Sequence, residues 1–213
     1  LGISFFVKYA IDQNWINETA RVAIGILAGI ILLGFSQYLH RDYKAFSSIL
    51  VAGAITVFYF TIGYGFHVYQ LYSQTTAFII MVIITAFSSL LSLYYDRQEL
   101  AVLSTIGGFA VPFMVSTGDG NYVVLFTYLL ILNLGLLILS YFKSWDIVKM
   151  VSFAFTFIIY GAWYINNYPA ISHTAHNNAL LFITLFYLLY LIMNVLDVVK
   201  NRPIHLGFKI GFL

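Results

Sequence analysis

Apolar residues fill long uninterrupted runs of this chain, and charged residues stand almost only between the runs. Asp, Glu, Lys and Arg are absent from residues 22–40, 45–95, 100–118, 120–142 and 150–196. The hydrocarbon core of a bilayer is about 30 Å thick, so about 20 helical residues cross it. No water satisfies a stray backbone amide in lipid, so such runs form helices. The pattern therefore predicts an all-α, polytopic transmembrane helical bundle.

Short hydrophilic connections divide the runs into about eight spans and the start of a ninth after Pro203. The first apolar segment ends near Ile11 and covers about half a bilayer at 1.5 Å per residue. We therefore expect an excerpt of a longer chain, with one transmembrane helical domain over residues 1–213 that is truncated at both ends. The predicted spans are 1–11, 21–39, 45–66, 74–95, 99–115, 121–142, 148–165 and 177–199.

The connections alternate between basic ones and ones without Lys or Arg. The positive-inside rule places the basic connections in the cytoplasm. Only Lys8 and Arg21, which flank the first outer loop, depart from the alternation. The other eight of the ten basic residues are Arg41, Lys44, Arg97, Lys143, Lys149, Lys200, Arg202 and Lys209.

Aromatic residues gather at the opposite, non-cytoplasmic ends of the spans. Two interpretations stay open: an interfacial aromatic belt, which suits rings at the headgroup layer, or a stacking surface for sugars or lipid headgroups. The residues are Trp15, Tyr64, Tyr69, Tyr72, Tyr122, Trp163, Tyr164 and Tyr168.

Composition agrees with a membrane protein and narrows its chemistry. Hydrophobic residues make up 62% and charged residues 8%, whereas a soluble domain carries about 25% charged residues. Cysteine is absent and the net charge is only +2, so we expect no thiolate chemistry and no nucleic-acid partner. His173 and His176 lack a nearby carboxylate and no membrane-protease motif occurs. We therefore predict no metal, no cofactor and no catalytic residues.

Lys8 and Asp12 stand four residues apart on one face of the first span, and Arg21 opens the second span. Lysine in an apolar segment is costly, so it usually pairs, reaches the interface or serves a pathway. One interpretation is a local ion pair. The other is a cationic site, completed by Arg21, that receives an anionic group or a proton.

Gly107, Gly108 and Pro112 interrupt the fifth span. Proline removes a main-chain hydrogen bond, so a carbonyl near Gly108 needs another partner. Transporters place binding sites at such discontinuous helices, but a kink with close glycine packing is also common.

The loop of residues 116–121 contains Asp119 and Asn121 beside two glycines. Its amides suit an anion nest, or either side chain caps the sixth span. Asn133 is the most polar side chain at bilayer depth, and an interhelical hydrogen bond is its ordinary role.

Several short segments together resemble a bacterial integral membrane family, the domain of unknown function 2339. They include residues 5–10, Arg21 to Gly25, residues 94–96, Gly107 to Pro112, the Ser116–Asn121 loop and Leu132-Asn133. The resemblance covers essentially the whole sequence and implies a multi-pass protein of the bacterial inner membrane in contact with lipids. It implies no biochemical activity.

The preferred hypothesis is a transporter-like or lipid- and glycan-handling protein with a site open to the non-cytoplasmic face. Its ligand would be a small molecule, a lipid or a glycan. The alternative is a non-catalytic scaffold that binds membrane protein partners in an envelope complex. The predicted site residues are Lys8, Asp12, Arg21, Gly107, Gly108, Pro112, Asp119, Asn121 and Asn133.

Overall fold

The computed structural model describes residues 16–118, 121–143, 145–167 and 173–200, and all regular structure within them is helical. Asn17 caps the first helix, since its side chain accepts a hydrogen bond of 2.8 Å from the Ala20 amide. The helices are α1 Glu18–Leu39, α2 Lys44–His67, α3 Gln74–Tyr95, α4 Gln98–Met114, α5 Tyr122–Phe142, α6 Asp146–Asn167 and α7 His173–Lys200.

Each predicted span from 21–39 to 177–199 coincides with one of these helices. Six of them are long and apolar enough to cross a membrane, whereas α4 has only 17 residues. At 1.5 Å per residue α4 is about 25 Å long, shorter than the hydrocarbon core. The count of about eight spans plus a ninth is therefore not supported by the described residues. The predicted span 1–11 and the segment after Pro203 lie outside them.

The described helices are apolar outside and partly polar inside, the reverse of a soluble protein. Large side chains such as Ile49, Leu90 and Ile158 are about two-thirds exposed. An exposed apolar surface of this extent suits lipid, and buried small polar residues are typical of packed membrane helices. The buried polar residues are Ser36, Ser47, Thr85, Ser88, Ser92, Ser104, Thr105, Asn133, Ser152 and Thr156.

The described chain divides into two compact units, which share two helices. The first unit holds residues 16–91 and 110–117, and the second holds residues 92–109 and 118–200. Only the last turn of α3 belongs to the second unit. α4 passes from the second unit to the first between Phe109 and Ala110, so only its last five residues belong to the first unit.

Close contact between α1 and α2 organises the first unit. An added Cβ would lie 2.4 Å from the Thr61 side chain at Gly25 and 2.4 Å from the Phe58 ring at Gly29. The Gly25-x-x-x-Gly29 pattern therefore packs α1 against its own neighbour. At the end of this hairpin, Ser36 and Ser47 are both fully buried and bond to each other.

Candidate functional site

Four uncharged polar side chains form a buried cluster inside the second unit. Asn133 comes from α5, Ser152 and Thr156 from α6, and Tyr190 from α7. Residues four apart lie on one face of a helix, so α6 presents both hydroxyls to the same neighbours. Asn133, Ser152 and Thr156 have no exposed surface, and Tyr190 is 7% exposed. We call these four residues the polar cluster.

The side chains of the polar cluster form hydrogen bonds with one another. The Tyr190 hydroxyl donates to Asn133 Oδ1 at 2.7 Å and lies 2.7 Å from Ser152 Oγ. Asn133 Nδ2 donates to Thr156 Oγ1 at 3.0 Å and to the Leu129 carbonyl at 2.9 Å. One amide thus joins α5 to both other helices, because it offers two donors and an acceptor.

The polar cluster lies deep in the apolar part of the helices. Asn133 follows Tyr122, the first residue of α5, by a little over three turns. That distance is about 17 Å along the axis, close to half the thickness of the hydrocarbon core. A polar group at this depth is costly unless it is hydrogen-bonded, which explains why the four side chains bond to one another.

Aromatic rings pack between the polar cluster and the first turn of α5. Phe126 is fully buried at their centre. Its ring centroid lies 5.0 Å from that of Trp163 and 5.3 Å from that of Tyr160. Phe182 and Phe186 of α7 complete the contacts, at 5.4 and 6.4 Å. We call these five residues the aromatic cluster.

Above the aromatic cluster, side chains at the helix ends bond across α5, α6 and α7. Asn178 Nδ2 donates to the Tyr122 hydroxyl at 3.2 Å. The Tyr160 hydroxyl donates to the Ala179 carbonyl at 3.0 Å. The Tyr122 and Trp163 rings lie 4.9 Å apart, tilted by 33°. This end of the second unit is therefore aromatic, with hydroxyl and amide groups between the rings.

Tyr128 of α5 supplies the partner that the Gly108 carbonyl requires. Its hydroxyl donates to the Gly108 oxygen at 2.7 Å. Pro112 stands four residues after Gly108 and has no N–H, so this carbonyl loses its usual intrahelical bond. With the tyrosine bond in place, α4 remains one α-helix from Gln98 to Met114. Phe109, the next residue, stacks on Phe155 at 5.6 Å.

The carboxyl end of α4 is held by side chains of the first unit. His67 Nε2, at the end of α2, lies 2.7 Å from the Met114 carbonyl. Gln74 Nε2, at the start of α3, donates to the Val115 carbonyl at 2.9 Å. The last carbonyls of a helix have no intrahelical donors, so these two side chains stabilise that end.

Arg21 and Asn121, two further predicted site residues, make contacts within their own units. Arg21, in the first unit, donates from Nε to the Ile16 carbonyl at 3.0 Å, and its guanidinium lies 5.7 Å from the Tyr69 ring centre. Asn121 caps α5, since its side chain accepts from the Val123 amide at 2.9 Å. Lys8, Asp12 and Asp119 lie outside the described residues. Among the predicted set, Gly108 and Asn133 both contribute polar contacts within the second unit.

Two ion pairs mark the opposite end of the second unit. Lys143 Nζ lies 2.7 Å from Asp96 Oδ1, and Lys149 Nζ lies 2.8 Å from Asp146 Oδ1. The first pair brings the connection after α3 to the same end as the connection after α5. No group of three His, Asp or Glu residues that could hold a metal occurs in the described part of the chain.

Sequence reasoning found Asn133 but missed its partners. Ser152 and Thr156 carried one usable signal, since two hydroxyls four residues apart mark a polar stripe on α6. Tyr190 and Tyr128 carried none. Tyr187 stands one turn before Tyr190 in the same apolar run and is 50% exposed, so residue type alone does not separate a buried tyrosine from a lipid-facing one.

Comparison with known proteins places the chain in one family. A family model described as "Predicted membrane protein (DUF2339)" matches residues 1–204. The match confirms the resemblance seen in the short sequence segments. No curated protein and no solved structure matches the chain.

Proposed function

We propose that this chain, which belongs to that family of membrane proteins, handles a lipid or glycan in a transporter-like manner. Its membrane is the bacterial inner membrane, and its basic connections face the cytoplasm. Its site lies in the second unit and opens to the non-cytoplasmic face. The observation that carries the proposal is the polar cluster of Asn133, Ser152, Thr156 and Tyr190 at bilayer depth.

The chemistry of the polar cluster favours an uncharged group that bears hydroxyls. Amide and hydroxyl side chains both donate and accept, as sugar hydroxyls do. The Asn133 amide, the Ser152 hydroxyl and the Tyr190 hydroxyl already exchange such bonds with one another. A ligand hydroxyl that enters replaces one of these bonds with an equivalent bond, so binding buries no unpaired charge.

The aromatic cluster favours the same class of ligand. Small-molecule sites combine apolar and aromatic walls with a few polar groups that fix orientation. Phe126, Trp163 and Tyr160 provide such walls between the aromatic end of α5 and the polar cluster. A sugar offers apolar C–H faces and hydroxyl edges, and a lipid headgroup with its acyl chain offers a similar division.

The orientation is supported by contacts inside the second unit. The pair between Lys143 and Asp96 joins two of the basic connections. The bond between Asn178 and Tyr122 joins connections without Lys or Arg. The positive-inside rule assigns the first end to the cytoplasm, which leaves the aromatic end on the outer side. The predicted contributions of Lys8, Asp12 and Asp119 to that outer side stay predictions.

Native mass spectrometry of the full-length protein, purified with its host lipids, tests the proposal. We expect a retained lipid or glycan of discrete mass, and we expect Tyr190→Phe to lower its occupancy about tenfold. Tenfold corresponds to about 1.4 kcal/mol, the size of one hydrogen bond. Tyr187→Phe, on the same helix but exposed to the surroundings, is the matched control and should retain the ligand. Equal occupancy in both variants would refute the site.

A scaffold without a ligand is the second candidate, and two observations favour it. The polar cluster satisfies its own hydrogen bonds, and Phe109 and Val111 near Pro112 are almost completely buried. Such an arrangement also serves to hold α5, α6 and α7 together for partner proteins. In that case the purified protein retains no discrete ligand, and Asn133→Leu reduces the recovery of a co-purifying membrane partner together with thermal stability.

A further inference from the structure

Tyr122 and Trp163 stand together at the aromatic end of the second unit. Their ring centroids lie 4.9 Å apart, tilted by 33°, and both side chains are partly exposed. Asn178 of α7 reaches the same place, because its Nδ2 donates to the Tyr122 hydroxyl at 3.2 Å. All three residues belong to the second unit. We call these three residues the rim site.

The rim site holds polar groups that have no hydrogen-bond partner among the described residues. The Trp163 indole N–H and the Tyr122 O–H donate no bond there, and Asn178 Oδ1 accepts none. Tyrosine hydroxyls and indole N–H groups usually find a partner when they are removed from water. Two donors and one acceptor can therefore serve a ligand beside two aromatic rings.

An interfacial aromatic belt explains these two rings less well than a ligand site does. A belt ring lies among lipids at the edge of the bilayer. The neighbouring side chains that face outward are Val124 and Ile165, which are 60% and 74% exposed. The Tyr122 and Trp163 rings instead pack on fully buried Phe126, at 6.3 and 5.0 Å. The rim site therefore continues the aromatic cluster to the surface of the unit.

The described residues around the rim site carry no Asp, Glu, Lys or Arg. This holds for residues 121–125, 160–167 and 173–180. A lipid phosphate or another anion needs a cationic partner when it leaves water. A sugar ring needs none, because its C–H face packs on aromatic rings and its hydroxyls both donate and accept hydrogen bonds. The chemistry of the rim site therefore favours a neutral sugar over an anionic headgroup.

We propose that the rim site binds a neutral sugar ring, which stacks on its aromatic pair. The Trp163 N–H and the Tyr122 O–H donate to sugar hydroxyls, and Asn178 Oδ1 accepts from one. This inference rests on the proposed function, of which it selects the glycan as the ligand. The aromatic cluster lies between the rim site and the polar cluster, so different variants test the two sites.

Native mass spectrometry of the full-length protein in lipid nanodiscs tests the rim site with three probes. Dodecyl maltoside carries a neutral sugar on an alkyl chain, maltotriose is a free sugar, and dodecyl phosphate carries an anion on the same alkyl chain. We expect the occupancy of dodecyl maltoside to exceed that of dodecyl phosphate about tenfold, because the anion finds no cation there. Retention of maltotriose as well identifies a free glycan as the ligand, and retention of dodecyl maltoside alone identifies a glycolipid.

Tyr122→Phe and Trp163→Phe each remove one donor and keep an aromatic ring. Each should lower the occupancy of dodecyl maltoside about tenfold, the effect of one hydrogen bond. Trp145→Phe is the matched control, because Trp145 lies in the connection between α5 and α6, at the other end of the unit. It should retain the probe at the wild-type level. Thermal unfolding of each variant shows whether it is folded, and Tyr122→Phe alone decides if Trp163→Phe is not.

Two results would overturn the rim site. The first is equal retention of dodecyl maltoside and dodecyl phosphate, which a belt of rings among lipids predicts. The second is wild-type retention of dodecyl maltoside in folded Tyr122→Phe and Trp163→Phe. The proposed function fails separately, when Tyr190→Phe keeps the native ligand as fully as Tyr187→Phe does. Loss of the native ligand in Tyr190→Phe together with either overturning result leaves the polar cluster as the ligand site and removes the rim site.

Discussion

The Tyr190 hydroxyl donates a hydrogen bond of 2.7 Å to Asn133 Oδ1, from a position 57 residues later in the chain. The same hydroxyl lies within hydrogen-bonding distance of Ser152 and Thr156. It carries one proton, so when it donates to Asn133 it accepts from one of the α6 hydroxyls. One hydrogen-bond network therefore joins α5, α6 and α7, and loss of any member changes the partners of the others.

The first prediction concerns the coupling between Asn133 and Tyr190. Asn133→Leu should lower the free energy of unfolding by about 1–3 kcal/mol, because it leaves buried hydroxyls without their acceptor. Tyr190→Phe should cost less, since Asn133 keeps its bonds to Thr156 and Leu129. Denaturant titration of the full-length protein in detergent gives both values. A double-mutant cycle should return a coupling of about 0.6 to 1.7 kcal/mol.

Tyr187→Phe serves as the control for that cycle, because its ring is exposed on the same helix. It should leave stability within about 0.5 kcal/mol of the wild type. A coupling near zero between Asn133 and Tyr190 would contradict the shared hydrogen-bond set.

The second prediction concerns the contact between α1 and α2. Gly29→Ala should destabilise the protein by about 1–3 kcal/mol, because the new Cβ would lie 2.4 Å from the Phe58 ring and force it to move. Gly34→Ala, on the same helix with nothing within 4 Å of its added Cβ, should leave stability unchanged or raise it by up to about 1 kcal/mol. Thermal unfolding of both variants measures the difference, and equal midpoints would refute the close contact.

The third prediction concerns orientation. Asp42 and Thr117 are exposed and stand in a basic and a non-basic connection. In intact cells a membrane-impermeant maleimide should label Thr117→Cys, whereas Asp42→Cys should react only after lysis, because Lys and Arg retain their loops in the cytoplasm. Both substitutions leave every Lys and Arg in place. Labelling of both cysteines in intact cells would overturn the alternation.

Most of the helical fold could be predicted because lipid simplifies the problem. In hydrocarbon, a backbone is stable only when its polar groups bond to one another. The length of an uncharged run, such as 22–40 or 120–142, is therefore almost sufficient to predict a helix. The predicted ends were within a few residues of α1 and α5. The predicted span count was not supported, because hydropathy alone does not distinguish α4, which has 17 residues, from a helix that crosses the whole membrane.

The candidate site was only partly predictable, for a different reason. Asn133 stands out because an amide is rare at bilayer depth, and Pro112 predicts an orphaned carbonyl at a known position. Which side chain reaches that carbonyl depends on how α4 and α5 rotate against each other. Tyr128 has an apolar ring that suits lipid equally well, so only the structure identifies it as the donor to Gly108.

The fourth prediction concerns Ser36 and Ser47, which close the α1–α2 hairpin. Each hydroxyl donates toward the other residue's carbonyl, at 3.0 and 2.9 Å, and the two oxygens lie 2.9 Å apart. Ser36→Ala or Ser47→Ala alone should cost about 1–2 kcal/mol, since each leaves the partner hydroxyl with fewer buried bonds.

Replacing both serines should cost less than the sum of the two single changes. The double variant lacks both hydroxyls, so neither is left buried with fewer hydrogen bonds, and the two carbonyls remain part of the helix ends. Denaturant titration of the three variants in detergent measures this. Ser48→Ala is the control, because its hydroxyl bonds only within α2, to the Lys44 carbonyl at 3.0 Å. If the two single costs add fully in the double variant, the serines act independently and the hairpin is held by the Gly25 and Gly29 contacts instead.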